Sequence, residues 1–263
     1  FVCEKSNKIN KQIMEAIYYG AIKRSSELVD KIKPNKKILE TKLAKGIFNW
    51  EFYESSTFLD WEQLREAIKV NGGVSNSLLC CLMPTAGTSI LLGCNEMYEP
   101  FMYNIMVRET IGGEFVIINK YLVKDLEEIG LWTPDVRKEI ILNNGSIQEI
   151  DFYSFLKTDN NIIPEGRIQH IKEKYKTIWE ISQKELINMA ADRQVFLDQS
   201  SSLNLYIKDP SYNKLAAALI YSWEKKLKTG CYYIRTESKL KSNKNLAIKQ
   251  GAKKERPENS IFE

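Results

Sequence analysis

Residues that build metal and disulfide sites are scarce in this sequence of 263 residues. It contains a single histidine, His170, and five cysteines, none of which stand in C-x-x-C spacing. An odd number of cysteines without paired spacing argues against a disulfide framework and against a structural zinc site. We therefore predict no bound metal and a reducing compartment, the cytoplasm. His170 lies among charged residues of a predicted helix, so we expect it on a solvated face rather than in catalysis.

Long apolar runs are missing as well. No stretch approaches the ~18 apolar residues of a membrane span, and the first eight residues, FVCEKSNK, become charged too early for a secretory signal. A composition of 43% hydrophobic and 27% charged residues is typical of a chain with a core and a hydrated surface. The sequence therefore predicts no membrane partner.

The formal charge of +4 is spread along the chain except for a basic tail, residues 237–263. Its basic residues are Lys239, Lys241, Lys244, Lys249, Lys253, Lys254 and Arg256. The tail has no interleaved aromatic residues, so we predict a disordered terminus rather than a nucleic-acid partner. Residues 1–236 form the predicted folded portion.

Helix and strand signals alternate along this folded portion. Helices are predicted over 8–32, 122–129, 134–142, 168–192 and 211–227, with another that Asp60 caps and Asn71 stops. Apolar or alternating segments predict strands over 46–52, 77–83, 104–108, 114–118, 195–198, 203–207 and 231–235. In the first helix the repeat of Ile9, Ile13 and Ile17 indicates the buried face. The alternation predicts an α/β fold.

The continuous apolar run over 77–83 has the length of a parallel strand buried on both faces. Cys80 and Cys81 within it, and Cys94 beyond it, are expected to be small buried packing residues. The segment Thr85-Ala86-Gly87-Thr88-Ser89 follows the C-terminal end of this run, where α/β proteins bind ligands. The run therefore predicts a site directly after residue 83.

Small residues and hydroxyls make this segment, which we call the hydroxyl loop (85–89), a candidate anion site. Ala86 and Gly87 let backbone N–H groups approach an anion, while Thr85, Thr88 and Ser89 add hydroxyl donors. An ordinary capped strand-to-helix turn has the same composition. The residues alone leave both interpretations open.

Two adjacent phenols, Tyr232 and Tyr233, stand near the end of the folded portion. Neighbouring aromatics on a strand are commonly packing residues on opposite faces. Adjacent phenols can instead relay an electron together with its proton, because a phenol with a pKa near 10 is protonated at neutral pH. Composition and spacing do not choose between these roles.

Several motifs in this chain resemble the large subunit of class I ribonucleotide reductases. They include Met83-Pro84-Thr85-Ala86-Gly87-Thr88, Asn95-Glu96, Gly113-Glu114-Phe115, Met189-Ala190-Ala191-Asp192-Arg193, Asp198-Gln199-Ser200, Ser202-Leu203-Asn204 and Thr229-Gly230 before Tyr232-Tyr233. The similarity extends from about Lys8 to Thr236 and corresponds to the family's C-terminal third. It implies an incomplete part of a ten-stranded α/β barrel, which we expect to be a fragment or a split subunit. The polar Asp198 motif is expected to be structural.

The resemblance also implies roles for both candidate segments. The hydroxyl loop would hold the phosphates of a ribonucleoside diphosphate, and Tyr232 and Tyr233 would pass a radical from the small subunit toward a cysteine outside this chain. Gly87 replaces the usual serine, which implies either weaker phosphate binding or compensation by Ser89. Cys231 stands beside the relay without an assigned role.

The family's cofactors and partners follow from the same resemblance. This segment would bind no cofactor itself; the family uses a small-subunit metal-radical centre, a dithiol reductant and ATP or deoxynucleotide effectors bound elsewhere. The implied partners are the small subunit, the N-terminal part of the large subunit and a second large subunit. Trp179 and Met189 could line a groove for the small subunit's tail, although core packing is their ordinary role. Alone the chain would be inactive, and the alternative is a non-catalytic remnant that binds the small subunit.

Overall fold

The computed structural model describes residues 3–110, 113–156, 163–164 and 166–237. The described part divides into two compact units, residues 3–99 with Ser182–Thr236 and residues Pro100–Ile181. The predicted basic tail lies outside the described residues except for Glu237. Within the described ranges, no helix combines the length and apolar character that crossing a bilayer requires.

The elements follow one another in mixed order. The helices are α1 (Glu4–Glu27), α2 (Lys36–Leu39), α3 (Trp61–Val70), α4 (Ala86–Leu92), α5 (Lys120–Glu128), α6 (Pro134–Leu142), α7 (Arg167–Lys174), α8 (Gln183–Gln194) and α9 (Tyr212–Glu224). The strands are β1 (Ile105–Thr110), β2 (Gly113–Ile118), β3 (Asn204–Tyr206) and β4 (Tyr233–Arg235). Short 3₁₀ turns lie at Leu43–Lys45, Asn49–Tyr53, Phe152–Phe155 and Ile178–Glu180.

The first unit packs α1 and α3 around an aromatic centre. The Trp61 ring lies 4.7 Å from the Phe48 ring and 6.2 Å from the Phe196 ring, between centroids. Its indole N–H donates to the buried carboxylate of Glu15, which also accepts from the Phe58 and Leu59 amides. Three donors compensate much of the cost of burying that carboxylate, so Glu15 fixes α1 against the start of α3.

The buried face of α1 differs from the prediction. Met14, Tyr18 and Ile22 are buried, whereas Ile9, Ile13 and Ile17 are 45%, 50% and 49% exposed. Both sets repeat with helical period, and Met14, Tyr18 and Ile22 are the set that packs with Trp61 and Phe196 in one core cluster. The predicted helix over 8–32 was therefore right in type and wrong in its buried face and in its C-terminal boundary.

Local capping decides the next two elements. The Asp60 carboxylate accepts from the Gln63 amide and begins α3, and Asn71 ends it, as predicted. The predicted strand over 46–52 is wrong because Asn49–Tyr53 forms a 3₁₀ turn. The carboxylate of Glu51 accepts from the Phe48 amide at 2.7 Å, which favours the turn over an extended conformation.

The second unit contains two predicted strands, which form a hairpin, and two predicted helices. Strands β1 and β2 pair antiparallel with Ile105 opposite Ile118, and α5 and α6 follow close to their predicted boundaries. The core includes Leu122, Leu126, Leu131, Val136, Ile140 and Ile147. Gly145 has φ +78°, and a Cβ there would lie 2.8 Å from the Ile105 carbonyl oxygen, so this turn requires glycine.

One predicted helix, 168–192, is broken into two. Helix α7 ends at Lys174 and α8 begins at Gln183. Between them the Thr177 amide donates to the Glu180 carboxylate at 2.6 Å instead of to a helical carbonyl group. This capping box interrupts the helix in a segment whose apolar period suggested continuity.

Two predicted strands are also corrected. Residues 195–198 form turns after α8, because the Phe196 and Leu197 amides donate to the Arg193 and Gln194 carbonyl groups. In the run 77–83 only Leu82 takes part in β pairing among the described residues, through an isolated bridge to Ser201, and Leu78 is 54% exposed. The Leu79 and Cys80 amides donate to the Asp198 carboxylate, which replaces a strand neighbour. The predicted strands over 203–207 and 231–235 are confirmed as β3 and β4.

Candidate functional site

A short parallel ladder in the first unit positions both candidate segments. Leu82 bridges Ser201, and the Leu82 carbonyl oxygen accepts from the Ser202 amide at 2.9 Å. Three residues further along, Asn204 pairs with Tyr233 in the parallel β3–β4 sheet. Residues 201–206 therefore contact the segment before the hydroxyl loop on one side, at Leu82, and the tyrosine strand β4 on the other.

The hydroxyl loop lies at the beginning of α4. The Thr85 carbonyl oxygen accepts from the Ser89 amide at 2.8 Å, so Thr85 occupies the N-cap position of the helix. The first-turn amides, those of Ala86, Gly87 and Thr88, have no acceptor within a helix that begins at Ala86. The three residues are exposed. This part of the loop therefore offers N–H groups to an anion.

The loop hydroxyls are not equally available to a ligand. The Thr85 hydroxyl donates to the Glu96 carbonyl oxygen at 3.0 Å, and the buried Ser89 hydroxyl donates to the Ala86 carbonyl oxygen at 3.2 Å. Compensation for Gly87 by Ser89 is therefore disfavoured, since the Ser89 proton has an internal acceptor. Thr88 is the exposed hydroxyl of the α4 first turn.

Tyr232 and Tyr233 form a ring pair at the start of β4. Their ring centroids lie 4.3 Å apart with an interplanar angle of 61°, and the rings are 49% and 53% exposed. The Tyr232 amide donates to the Leu203 carbonyl oxygen at 2.5 Å, which aligns the pair with β3. A hydrogen bond with Tyr233 and the charge of Glu96 both raise the pKa of the Tyr232 phenol. The rings contact each other rather than occupying opposite faces of a strand.

Glu96 and Arg235 connect the loop with the tyrosine strand. The Glu96 carbonyl oxygen accepts from both the amide and the hydroxyl of Thr85, each at 3.0 Å. The Glu96 carboxylate lies 3.6 Å from the Arg235 guanidinium, which is 5.6 Å from the centroid of the Tyr233 ring. The loop and the tyrosines are thus parts of one surface of the first unit.

Comparison with known proteins identifies the family of this chain. The family model for the ribonucleotide reductase barrel domain matches residues 1–233. The chain belongs to the ribonucleotide reductase barrel-domain family. The predicted incomplete barrel is confirmed in class, since the described elements are mixed helices and strands and the parallel ladder in the first unit is open.

The chain covers only part of the curated relatives that it matches. The ribonucleoside-diphosphate reductase large subunit of Danio rerio is 43% identical over 90% of this chain, and that of Plasmodium falciparum is 41% identical over 89%. These alignments cover 28% of each relative, so the chain spans little more than a quarter of their length. The large chain 2 of Saccharomyces cerevisiae is 41% identical, with 26% of it covered.

A solved structure agrees with the family's fold. The Actinobacillus ureae class Id ribonucleotide reductase alpha subunit aligns with a TM-score of 0.63 at 24% identity. The alignment covers 90% of this barrel chain and 35% of that subunit.

The Asp198 motif of the barrel chain is structural, as predicted. One carboxylate oxygen accepts from the Leu79 and Cys80 amides, and the other accepts from the Tyr18 hydroxyl at 3.0 Å. Burial and the nearby Asp198 charge raise the pKa of Tyr18 well above its ordinary value. Asp198 therefore holds the segment before the hydroxyl loop in place.

The cysteines of the barrel chain are less buried than predicted. Cys81 and Cys94 are exposed, and Cys80 is half-buried. Within the described part of the chain, residues 77–83 form only the isolated bridge from Leu82 to Ser201, so no strand neighbour covers Cys80 or Cys81. Burial and the charge of Asp198 raise the pKa of Cys80 to about 11. Burial also raises the pKa of Cys231, which packs beside a small cluster containing Ile187 and Leu203.

Sequence reasoning missed a buried polar group behind the site. Glu99 accepts from the Asn204 amide at 2.7 Å, and burial raises the pKa of its carboxyl. Arg193 is buried nearby, where desolvation lowers its pKa to about 10. The sequence signal for this buried group was that Glu96 and Glu99 follow closely after the hydroxyl loop. Such closeness in sequence is a weak signal on its own.

The other residues singled out from the sequence, His170, Met189 and Trp179, lie on the surface or in core packing. His170 is exposed on α7, as predicted. Met189 is buried in the first unit, and Trp179 is half-buried beside Tyr103 in the second. The proposed groove for a partner's tail stays a prediction. Among the described residues, no group of three or more His, Cys, Asp or Glu side chains is arranged to hold a metal ion.

Proposed function

We propose that this chain supplies the substrate phosphate loop and the tyrosine relay of a ribonucleoside-diphosphate reductase large subunit. The reaction replaces the 2′-hydroxyl of a ribonucleoside diphosphate by hydrogen and so provides deoxyribonucleoside diphosphates for DNA synthesis. The observation that carries the proposal is the connection of the two segments through Glu96, between Thr85 and the Arg235 that lies beside Tyr233. An ordinary capped turn, the alternative interpretation of the hydroxyl loop, would not require such a connection to a pair of tyrosines.

The proposed substrate contact uses the first turn of α4. Amides at a helix N-terminus direct partial positive charge toward an anion, and phosphate oxygens accept several hydrogen bonds at once. The amides of Ala86, Gly87 and Thr88 and the Thr88 hydroxyl would bind the diphosphate. Gly87 brings the backbone close to the ligand but contributes no hydroxyl.

The proposed relay moves one electron and one proton at each step. A tyrosine that gives both to a neighbouring radical becomes a neutral radical, and the neighbour becomes a closed-shell group with its hydrogen restored. Concerted movement avoids the phenol radical cation, which loss of the electron alone would form, and the phenolate, which is disfavoured at neutral pH because the phenol pKa is near 10. The 4.3 Å separation of the Tyr232 and Tyr233 rings supports exchange between them.

The remaining parts of the reaction would come from outside this chain. A small-subunit metal-radical centre would supply the radical, and a dithiol the two electrons that accompany loss of the 2′-hydroxyl as water. ATP and deoxynucleotide effectors would bind elsewhere. We propose the small subunit, the rest of the large subunit and a second large subunit as partners in the cytoplasm, with no role for nucleic acid or a membrane.

A complementation assay tests this proposal. The chain is mixed with a matching remainder of the large subunit and a small subunit, and reduction of a ribonucleoside diphosphate is measured. We expect turnover, and we expect Tyr232→Phe or Tyr233→Phe to abolish it, because phenylalanine has no phenolic proton to move. Tyr153→Phe is the matched control, since Tyr153 is exposed in the second unit. An assembled but inactive mixture, or full activity of both relay variants, contradicts the proposal.

A second candidate function is a non-catalytic module that binds the small subunit. Gly87 favours it, because the family's usual serine is replaced and Ser89 donates internally. In that case the assembly forms and neither binds a ribonucleoside diphosphate nor reduces it.

A further inference from the structure

Glu96 is fixed to the hydroxyl loop through its backbone. Its carbonyl oxygen accepts both Thr85 donors at 3.0 Å, and the Asn95 side-chain amide donates to the Glu99 carbonyl oxygen at 2.9 Å. These contacts tie Glu96 back to Thr85 and tie the neighbouring Asn95 to Glu99, so the backbone around Glu96 is held at both ends. A displacement at the beginning of the loop is therefore transmitted directly to the Glu96 backbone.

The Glu96 side chain extends toward the tyrosine strand. Its carboxylate lies 3.6 Å from the Arg235 guanidinium, beyond ordinary hydrogen-bond distance, and both side chains are part-exposed. Arg235 pairs with Tyr206 across the β3–β4 sheet and lies over the Tyr233 ring. Within the described residues, the buried Nε of Arg235 has no hydrogen-bond partner. The guanidinium is thus held loosely on this side.

We propose that the Glu96–Arg235 pair is a latch that couples diphosphate occupancy of the hydroxyl loop to the arrangement of Tyr232 and Tyr233. The inference rests on the proposed function and names positioning residues for it. A part-exposed ion pair at this distance contributes little stability, so a small change in local charge rearranges it.

Charge gives the direction of the effect. A bound diphosphate brings negative charge to the loop, which repels the Glu96 carboxylate and attracts the Arg235 guanidinium. The pair then opens, and the guanidinium moves relative to the Tyr233 ring beneath it. The charge of Glu96 also acts on the Tyr232 phenol, so both rings experience the change. An empty loop and an occupied loop therefore present different tyrosine environments.

The test follows the tyrosine ring signals by NMR in the full chain while inorganic pyrophosphate is added. In the wild type we expect shifts of the Ala86–Thr88 amides and of the Tyr232 and Tyr233 rings. In Glu96→Gln and in Arg235→Gln the loop amides still shift, and the ring response is lost. The doubly reversed variant, Glu96→Arg with Arg235→Glu, restores a ring response because it restores an opposite-charge pair.

Two controls keep the result interpretable. Arg235→Lys retains the charge and retains the ring response, whereas a merely structural role of the arginine would not distinguish lysine from glutamine in this way. Circular dichroism checks that each variant is folded, and the Arg235 series decides the question if a Glu96 variant is not. Ring signals that ignore pyrophosphate in the wild type, or that respond equally in both glutamine variants, overturn the latch.

Reductase turnover separates this inference from the proposed function. An active assembled enzyme whose ring signals ignore pyrophosphate overturns the latch alone. A charge-dependent ring response in an inactive assembly overturns the reductase proposal alone and leaves a diphosphate-sensing module.

Discussion

At the scale of single residues, Gly87 is the position where the hydroxyl loop lacks a hydroxyl donor for the proposed phosphate ligand. A Cβ at Gly87 meets nothing within 4 Å, so the backbone and the space permit a side chain. We predict that Gly87→Ser tightens binding of a ribonucleoside diphosphate several-fold, because a neutral hydrogen bond contributes about 0.5–1.5 kcal/mol. Isothermal titration calorimetry measures the change in Kd.

Gly87→Ala separates the hydroxyl from the backbone effect. Alanine adds helix propensity at the same position without a donor. The serine variant should therefore bind more tightly than the alanine variant, which should resemble the wild type in affinity. Equal Kd values for serine and alanine would show that the loop does not bind phosphate through this position.

Cys80 makes a separate prediction at the residue scale. With a pKa of about 11, roughly one molecule in a thousand carries the Cys80 thiolate at pH 8. We predict that iodoacetamide modifies the exposed Cys81 and Cys94 well before Cys80, as tandem mass spectrometry can localise. Raising the pH toward 10 should increase Cys80 labelling steeply. Labelling of Cys80 as fast as Cys81 at pH 8 would contradict its placement beside Asp198.

Residue-scale features were predictable where their partners are close in sequence. The Asp60 cap and its Gln63 amide are three residues apart, so the sequence contains the whole contact. Glu96 and Arg235 are 139 positions apart in sequence, with the whole segment Pro100–Ile181 between them, and only the folded ladder brings them together. Their contact has no local signal.

At the scale of elements, the apolar period of α1 predicted a helix correctly but did not identify which of its faces is buried. Met14→Ala should lower the free energy of unfolding by about 2–5 kcal/mol, because it removes a fully buried side chain. Ile13→Ala, one residue away on the exposed face, should change it by less than about 0.5 kcal/mol. Chemical denaturation measures both. A larger loss of stability for Ile13→Ala than for Met14→Ala would contradict this placement and support the predicted isoleucine face as the buried one.

One predicted strand failed because of a contact that the sequence does not display. The apolar run 77–83 fits a strand, yet the Asp198 carboxylate occupies the amides of Leu79 and Cys80. The hairpin β1–β2 and helix α6 were predictable, because their pairing and their capping by Thr133 are local. A tertiary acceptor therefore explains the failure over 77–83, whereas the failures over 46–52 and 168–192 come from the local acceptors Glu51 and Glu180.

At the scale of the whole molecule, the alternation of elements predicted the α/β class, whereas the incomplete barrel was predicted only from the motifs. Alternating helices and strands are compatible with many α/β folds. The match to the barrel-domain family over residues 1–233 selects one of them. The division into two compact units had no counterpart in the composition, which shows no linker between them.

The central claim is that the hydroxyl loop and the tyrosine pair serve one substrate. A crystal structure of the assembled reductase with a ribonucleoside diphosphate tests it most directly. We predict the diphosphate on the Ala86–Thr88 amides, with the ribose on the side of the loop that faces Tyr232. A diphosphate bound away from this loop, or a ribose directed away from both tyrosines, would contradict the claim.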